Sequence, residues 1–182
     1  MDQPASAYFL EDRKDPIEAH TLSIVVDNEP GVLARVIGLF SGRGYNIESL
    51  TVSETEHEAH VSRITIVTRG TPMVLQQIKS QLERLVPVHS VADLTVTGNA
   101  IERELALVKV AGTGDHRVEA LRLADAFRAH VVDATNASFV FELTGKTGKV
   151  EQFIALMQPL GLVEVVRTGI AAISRGVDRM RV

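Results

Sequence analysis

Asp27-Asn28-Glu29-Pro30-Gly31-Val32-Leu33 stands where one hydrophobic period gives way to another, and the fold follows from that change. Before it, Leu22, Ile24 and Val26 alternate with Thr21, Ser23 and Val25, the two-residue period of a half-buried strand over residues 20–27. After it, Leu33, Val36, Ile37 and Phe40 recur at helical spacing, which predicts a helix over 30–42. Pro30 has its φ preset and no N–H to leave unpaired, so it suits a first helical position. Gly31 lacks the Cβ that would hold another molecule away from the backbone. The unpaired amides and positive dipole end of such a helix attract a carboxylate, and the Asn28 side chain offers a donor and an acceptor beside it. These features describe a pocket for a free amino acid. On these residues alone, however, a plain strand-to-helix turn explains the segment better.

Outward from the turn the pattern repeats. Glycines end the first helix, and residues 47–54 and 61–68 read as strands. A second helix over 72–85 has Thr71 as N-cap, Pro72 at its first position and a stripe at Leu75, Ile78, Leu82 and Leu85; a strand over 91–97 follows. The order is βαββαβ. After a Gly98-Asn99 joint it recurs: strand 104–111, helix 116–129, strands 131–134 and 139–144, helix 149–158, strand 162–168. Two interlocked right-handed βαβ units give an antiparallel four-stranded sheet with both helices on one face, the ferredoxin-like split. The expected class is therefore α+β, with a flexible tail over 1–19 and tandem ferredoxin-like domains over 20–98 and 99–182. Domains of about 80 residues have marginal cores, so the spare sheet face or an edge strand is expected to meet another chain. A homodimer follows. Edge pairing of two first domains would bring the Pro30-Gly31 helix start of one chain toward Asn46-Ile47 of the other.

Composition narrows the function. A chain of 182 residues with 45% apolar residues and net charge −4 has no basic excess for nucleic acid or an anionic membrane surface. No apolar run approaches a bilayer span, and the polar, acidic start does not suggest export, so a cytoplasmic location is expected. The absence of cysteine excludes disulfides, thiolate metal sites and a cysteine nucleophile. Two tyrosines, six phenylalanines and no tryptophan leave few rings for stacking bases.

The run Arg35-Val36-Ile37-Gly38-Leu39-Phe40-Ser41-Gly42-Arg43-Gly44-Tyr45-Asn46-Ile47-Glu48-Ser49-Leu50-Thr51-Val52 carries a resemblance. It is similar to the ACT domain of the small, regulatory subunits of acetolactate synthase (acetohydroxyacid synthase), the first common enzyme of branched-chain amino-acid synthesis. The resemblance extends over about residues 20–176; it is most specific in 35–52, fair in 102–110 and weaker elsewhere. It implies that the first domain is an ACT domain and that the chain is non-catalytic by itself. Such a chain activates a catalytic subunit and confers feedback inhibition by valine or another branched-chain amino acid. The family holds valine with the Asn and Gly of its strand-end turn and the Asn of its Gly-Tyr-Asn-Ile run, which correspond to Asn28, Gly31 and Asn46. Amides near Gly31, Val32 and Leu33 would take the carboxylate, Asn28 and Asn46 would fix polar atoms, and Ile47 with Leu33 could line the apolar end. Pro30 and Ala34 depart from serines frequent in the family and sit beside this pocket. Thiamine diphosphate, FAD and magnesium would belong to the catalytic partner, with no cofactor in this chain. The rival implied by the same module is a stand-alone amino-acid sensor controlling another partner.

Other candidates carry less. Gly145-Lys146-Thr147-Gly148-Lys149 resembles a phosphate loop, but that motif needs a glycine where Val140 stands. His57 and His60 lie three apart in an acidic hairpin turn rather than on a helix face, so solvated turn residues are the better reading than metal ligands. His20, His89, His116 and His130 are scattered, and no serine, histidine and carboxylate form a nucleophilic set by spacing. Neither catalytic nor metal residues are expected.

Overall fold

The computed structural model of the chain describes residues 16–56, 58, 60–96, 98, 100–177 and 180. Residues 1–15 of the expected tail, His57 and Asn99 of the joint lie outside the described residues. The first sheet contains β1 (Glu18–Asp27), β2 (Ser49–Glu56), β3 (Val61–Gly70) and β4 (Val88–Asp93) in the order β2-β3-β1-β4, with α1 (Val32–Gly42) and α2 (Pro72–Leu82) as its helices. The second contains β5 (Ala100–Ala111), β6 (His130–Ala134), β7 (Ser138–Gly145) and β8 (Leu162–Arg167) in the order β6-β7-β5-β8, with α3 (Gly114–Phe127) and α4 (Thr147–Met157). All pairings are antiparallel. The chain is α+β, a tandem of ferredoxin-like βαββαβ units.

Strand and helix periods meet in two separate cores. In the first unit Leu22, Ile24 and Val26 of β1 and Ile64 and Ile66 of β3 pack against Val32, Val36 and Phe40 of α1 and Ile78 and Leu82 of α2. Tyr45 closes this core edge-on to Phe40, with ring centroids 6.1 Å apart. In the second, Val108, Val110, Phe141 and Leu143 pack against Ala120, Ala124, Val150, Phe153 and Met157. Each stripe places its helix on one sheet face, and burial of these side chains supplies the main stabilisation.

Several element ends differ from expectation. Helix α1 starts at Val32, and Pro30 sits in the preceding turn, because Gly31 adopts left-handed φ 89° as the N-cap. Strand β4 lies earlier than 91–97: the Asp93 carboxylate accepts the Thr95 and Val96 amides at 3.0 and 3.3 Å and turns the chain out of the sheet. Helix α2 stops at Leu82, though Leu85 still packs on the core. β1 begins at Glu18, inside the segment expected as tail, paired with Gly70. β5 begins at Ala100 because an unexpected strand, β9 (Ala171–Ser174), pairs with Ala100–Arg103.

That extra strand bears on the spare face of the first sheet. Thr21, Ser23 and Val25 point away from the helices, yet all three are buried, as are Thr65 and Val67 opposite them. The β5–β9 ribbon lies across part of this face: Thr21 Oγ1 donates to Glu102 Oε1 at 2.7 Å, β9 contacts β1, and Ala172 is buried. Part of the cover expected from another chain is therefore found inside this one. Among the described residues, edge strands β2 and β6 keep an unpaired side.

Candidate effector-binding site

The chain leaves β1 at Asp27 and is held on both sides as it turns. The Asp27 amide donates to Pro87 O at 2.9 Å, its carboxylate accepts from His89 Nε2 at 2.7 Å, and the Asn28 amide donates to His60 O at 2.7 Å. With the backbone so anchored, the Asn28 side chain and residues 29–31 face solvent. His89 escapes sequence reasoning because it acts on Asp27 from 62 residues away, through strand register alone.

Beyond the turn, α1 opens without a side-chain cap. The Val32 amide donates to Glu29 O at 3.3 Å and the Arg35 amide to Gly31 O at 3.0 Å, whereas among the described residues the amides of Gly31, Leu33 and Ala34 meet no protein acceptor. Uncapped amides concentrate the positive dipole end at the surface. A Cβ built on Gly31 would meet nothing within 4 Å, so the backbone is open to an approaching anion. Val32 differs from its neighbours. Its side chain is buried in the first core and its amide is engaged, while Leu33 is 37% exposed with its amide unpaired.

Asn46 and Ile47 lie at the opposite end of the sheet. Thr68 Oγ1 donates to Asn46 O at 2.6 Å and the Glu48 amide to Val67 O at 2.8 Å; the Asn46 residue is exposed and Ile47 packs partly on the first core. From Val61, beside the Asn28 turn, to Thr68 is a strand length of roughly 23 Å at ~3.3 Å per residue. One chain thus brings Asn28, Gly31, Val32 and Leu33 together but holds Asn46 and Ile47 apart from them. No small amino acid reaches both groups within one chain.

Among the described residues no group of three or more His, Cys, Asp or Glu is placed to hold a metal, and no helix is long and apolar enough to cross a membrane. Glu164 is held below the ordinary glutamate range by a hydrogen bond from Lys109 and by its charge. Both belong to β8 and β5 of the second sheet rather than to either half of this site.

Two family models match in tandem: the AHAS small subunit-like ACT domain over residues 22–90, and the small subunit of acetolactate synthase over residues 103–176. The probable acetolactate synthase small subunit of Archaeoglobus fulgidus is 45% identical over 86% of this chain and 97% of its own. Acetolactate synthase isozyme 3 small subunit of Escherichia coli is likewise 45% identical, over 88% of this chain and 98% of its own. The chain belongs to the acetolactate synthase small-subunit family. A crystal structure of the acetolactate synthase small subunit from Thermotoga maritima superposes with TM-score 0.80 at 37% identity, covering 88% of this chain and 99% of that one. The ACT-domain match spans both the Asn28 turn and the Asn46 run, and the small-subunit match spans the second unit through β9.

Proposed function

We propose that this chain is the regulatory subunit of an acetolactate synthase: it binds and activates the catalytic subunit and makes it sensitive to valine or another branched-chain amino acid. The observation that carries the reading is the uncapped α1 start, with its free amides at Gly31, Leu33 and Ala34, in an ACT domain whose relatives are small subunits of that enzyme. In this reading the chain itself is non-catalytic and acts in the cytoplasm; thiamine diphosphate, FAD and magnesium belong to the catalytic partner.

The separation of the two half-sites favours a homodimer. β2 is an edge strand, and Val52 on it and Leu33 on α1 are 43% and 37% exposed. Setting two β2 edges antiparallel about a two-fold axis places the Asn28 end of one chain beside the Asn46 end of the other. The effector would then be shared: its carboxylate on the first-turn amides, its polar atoms at Asn28 and at the partner copy's Asn46 position, and its side chain between Leu33 and Ile47. Binding one arrangement of two chains better than another is what lets such an effector bias a bound enzyme. One extra methylene is worth only about 1–3 kcal/mol in an apolar pocket, so valine, leucine and isoleucine are expected to give overlapping responses.

The test is reconstitution. The purified chain alone should form no acetolactate from pyruvate; mixed with a thiamine-dependent catalytic subunit it should raise activity, and valine should lower the raised rate. Turnover by the chain alone would overturn the assignment. Valine binding with no effect on any acetolactate synthase would favour the stand-alone sensor.

A further inference from the structure

β8 and β9 run along one edge of β5 as a single strand with a break. Ala106 pairs with Arg167 and Arg103 with Ala171, so two residues of β5, Glu104 and Leu105, face three on the other side, Thr168, Gly169 and Ile170. The extra residue makes a bulge, a device that turns backbone groups away from their own ladder. Here they turn onto the first unit. The Ile170 amide donates to Ser49 Oγ at 2.9 Å, and Thr51 Oγ1 donates to Ile170 O at 2.9 Å. Gly169 makes the approach possible: its φ is +82°, and a Cβ there would lie 2.8 Å from Ser49 Oγ and 3.1 Å from Thr51 Oγ1.

The position of this clasp matters because Ser49 begins β2, two residues after Ile47. The two units have separate apolar cores. Beside the clasp an open cleft of about 640 Å³ runs between them, lined by the Glu48–Arg69 and Glu104–Arg167 ion pairs. Beside the few apolar side chains buried at this junction, such as Val67 and Ala172, the polar ties across it help set the relative placement of the units.

We infer that Gly169 and Ile170 of the second unit are positioning residues for the Asn46–Ile47 half of the effector site, acting through Ser49 and Thr51. The inference rests on the proposed reading of that site. The clasp holds the start of β2 at the level where Asn46 must meet the ligand. By linkage, an effector that draws on Asn46 strengthens the clasp to the same degree that the clasp strengthens effector binding. The second unit then senses occupancy through one residue's two backbone groups.

The experiment uses the full chain, with valine as the probe, by titration calorimetry and amide hydrogen exchange. The double variant Ser49→Ala/Thr51→Val removes both hydroxyls and should weaken valine binding about tenfold, the scale of two hydrogen bonds of ~1 kcal/mol partly coupled to binding. Thr51→Ser keeps the donor and should bind within about twofold of wild type, a rescue that a loss of packing alone would not show. In the wild-type chain valine should slow exchange of the Ile170 amide. Asn46→Ala serves as the reference for the site itself. If Asn46→Ala loses valine while the double variant binds like wild type, the clasp is overturned and the site stands. If Asn46→Ala binds valine unchanged, the site reading fails and takes the clasp with it. An Ile170 amide indifferent to saturating valine in the wild-type chain also overturns the clasp, whatever the variants do.

Discussion

Gly31→Asp is expected to weaken valine binding by roughly fivefold to 700-fold. The substitution sets a carboxylate beside the amides that would otherwise receive the ligand's own. Like charges about 4 Å apart repel by around 1 to 4 kcal/mol between the dielectric of water and that of a protein surface, and each 1.4 kcal/mol is about tenfold in affinity. Strain must be separated from charge. Gly31 sits at φ 89°, so any side chain there costs about 1–2 kcal/mol of backbone energy. Gly31→Ala shares that strain, and its methyl meets nothing within 4 Å. The alanine variant should therefore lose stability comparably while keeping much more of its valine affinity. Calorimetry on both variants, with melting curves beside them, makes the comparison. Equal and unchanged valine affinities would remove the ligand from the α1 start.

Phe153→Ala should have the largest effect on stability. Phe153 is fully buried, tilted against Phe127 at 5.4 Å and edge-on to Phe141 at 6.1 Å, so its loss opens a cavity between α4 and the second sheet. Such truncations cost about 3–5 kcal/mol, against a total of ~5–15 kcal/mol for an ordinary domain. Because the cores are separate, the loss should fall on the second unit. The chain provides its own reporter: it has two tyrosines and no tryptophan, and one tyrosine, Tyr45, packs edge-on to Phe40 in the first core. In urea the variant should lose amide protection in β5 and β7 well before the Tyr45 signal changes. One coincident transition would show that the two units unfold together despite their separate cores.

These expectations draw unequally on sequence. The α2 stripe of the first unit was legible because Leu75, Ile78 and Leu82 recur at the helical period and all face the core; of the α1 stripe Val36 and Phe40 do so, whereas Leu33 is exposed and Val32, one residue earlier, is buried in its place. The α1 start was legible as a turn but misplaced by two residues, since Pro30 fits a first helical position by its own preference and only the left-handed Gly31 moves the boundary. The 171–174 strand escaped detection because Ala-Ala-Ile-Ser has no clear alternation and gains its ladder only from residues about 70 positions away. The same remoteness hid His89 behind Asp27 and Ile170 behind Ser49 and Thr51.

What local chemistry determined by itself was the repeated βαββαβ order, the two apolar cores and the open helix start, because periodicity, turn residues and uncapped amides are properties of neighbours along the chain. Tertiary structure alone decided that the β5–β9 ribbon covers part of the first sheet's spare face and that a bulge of the second unit grips β2. Each depends on strand register and on hydrogen bonds between distant residues, whose free energy exists only once both partners have been brought together.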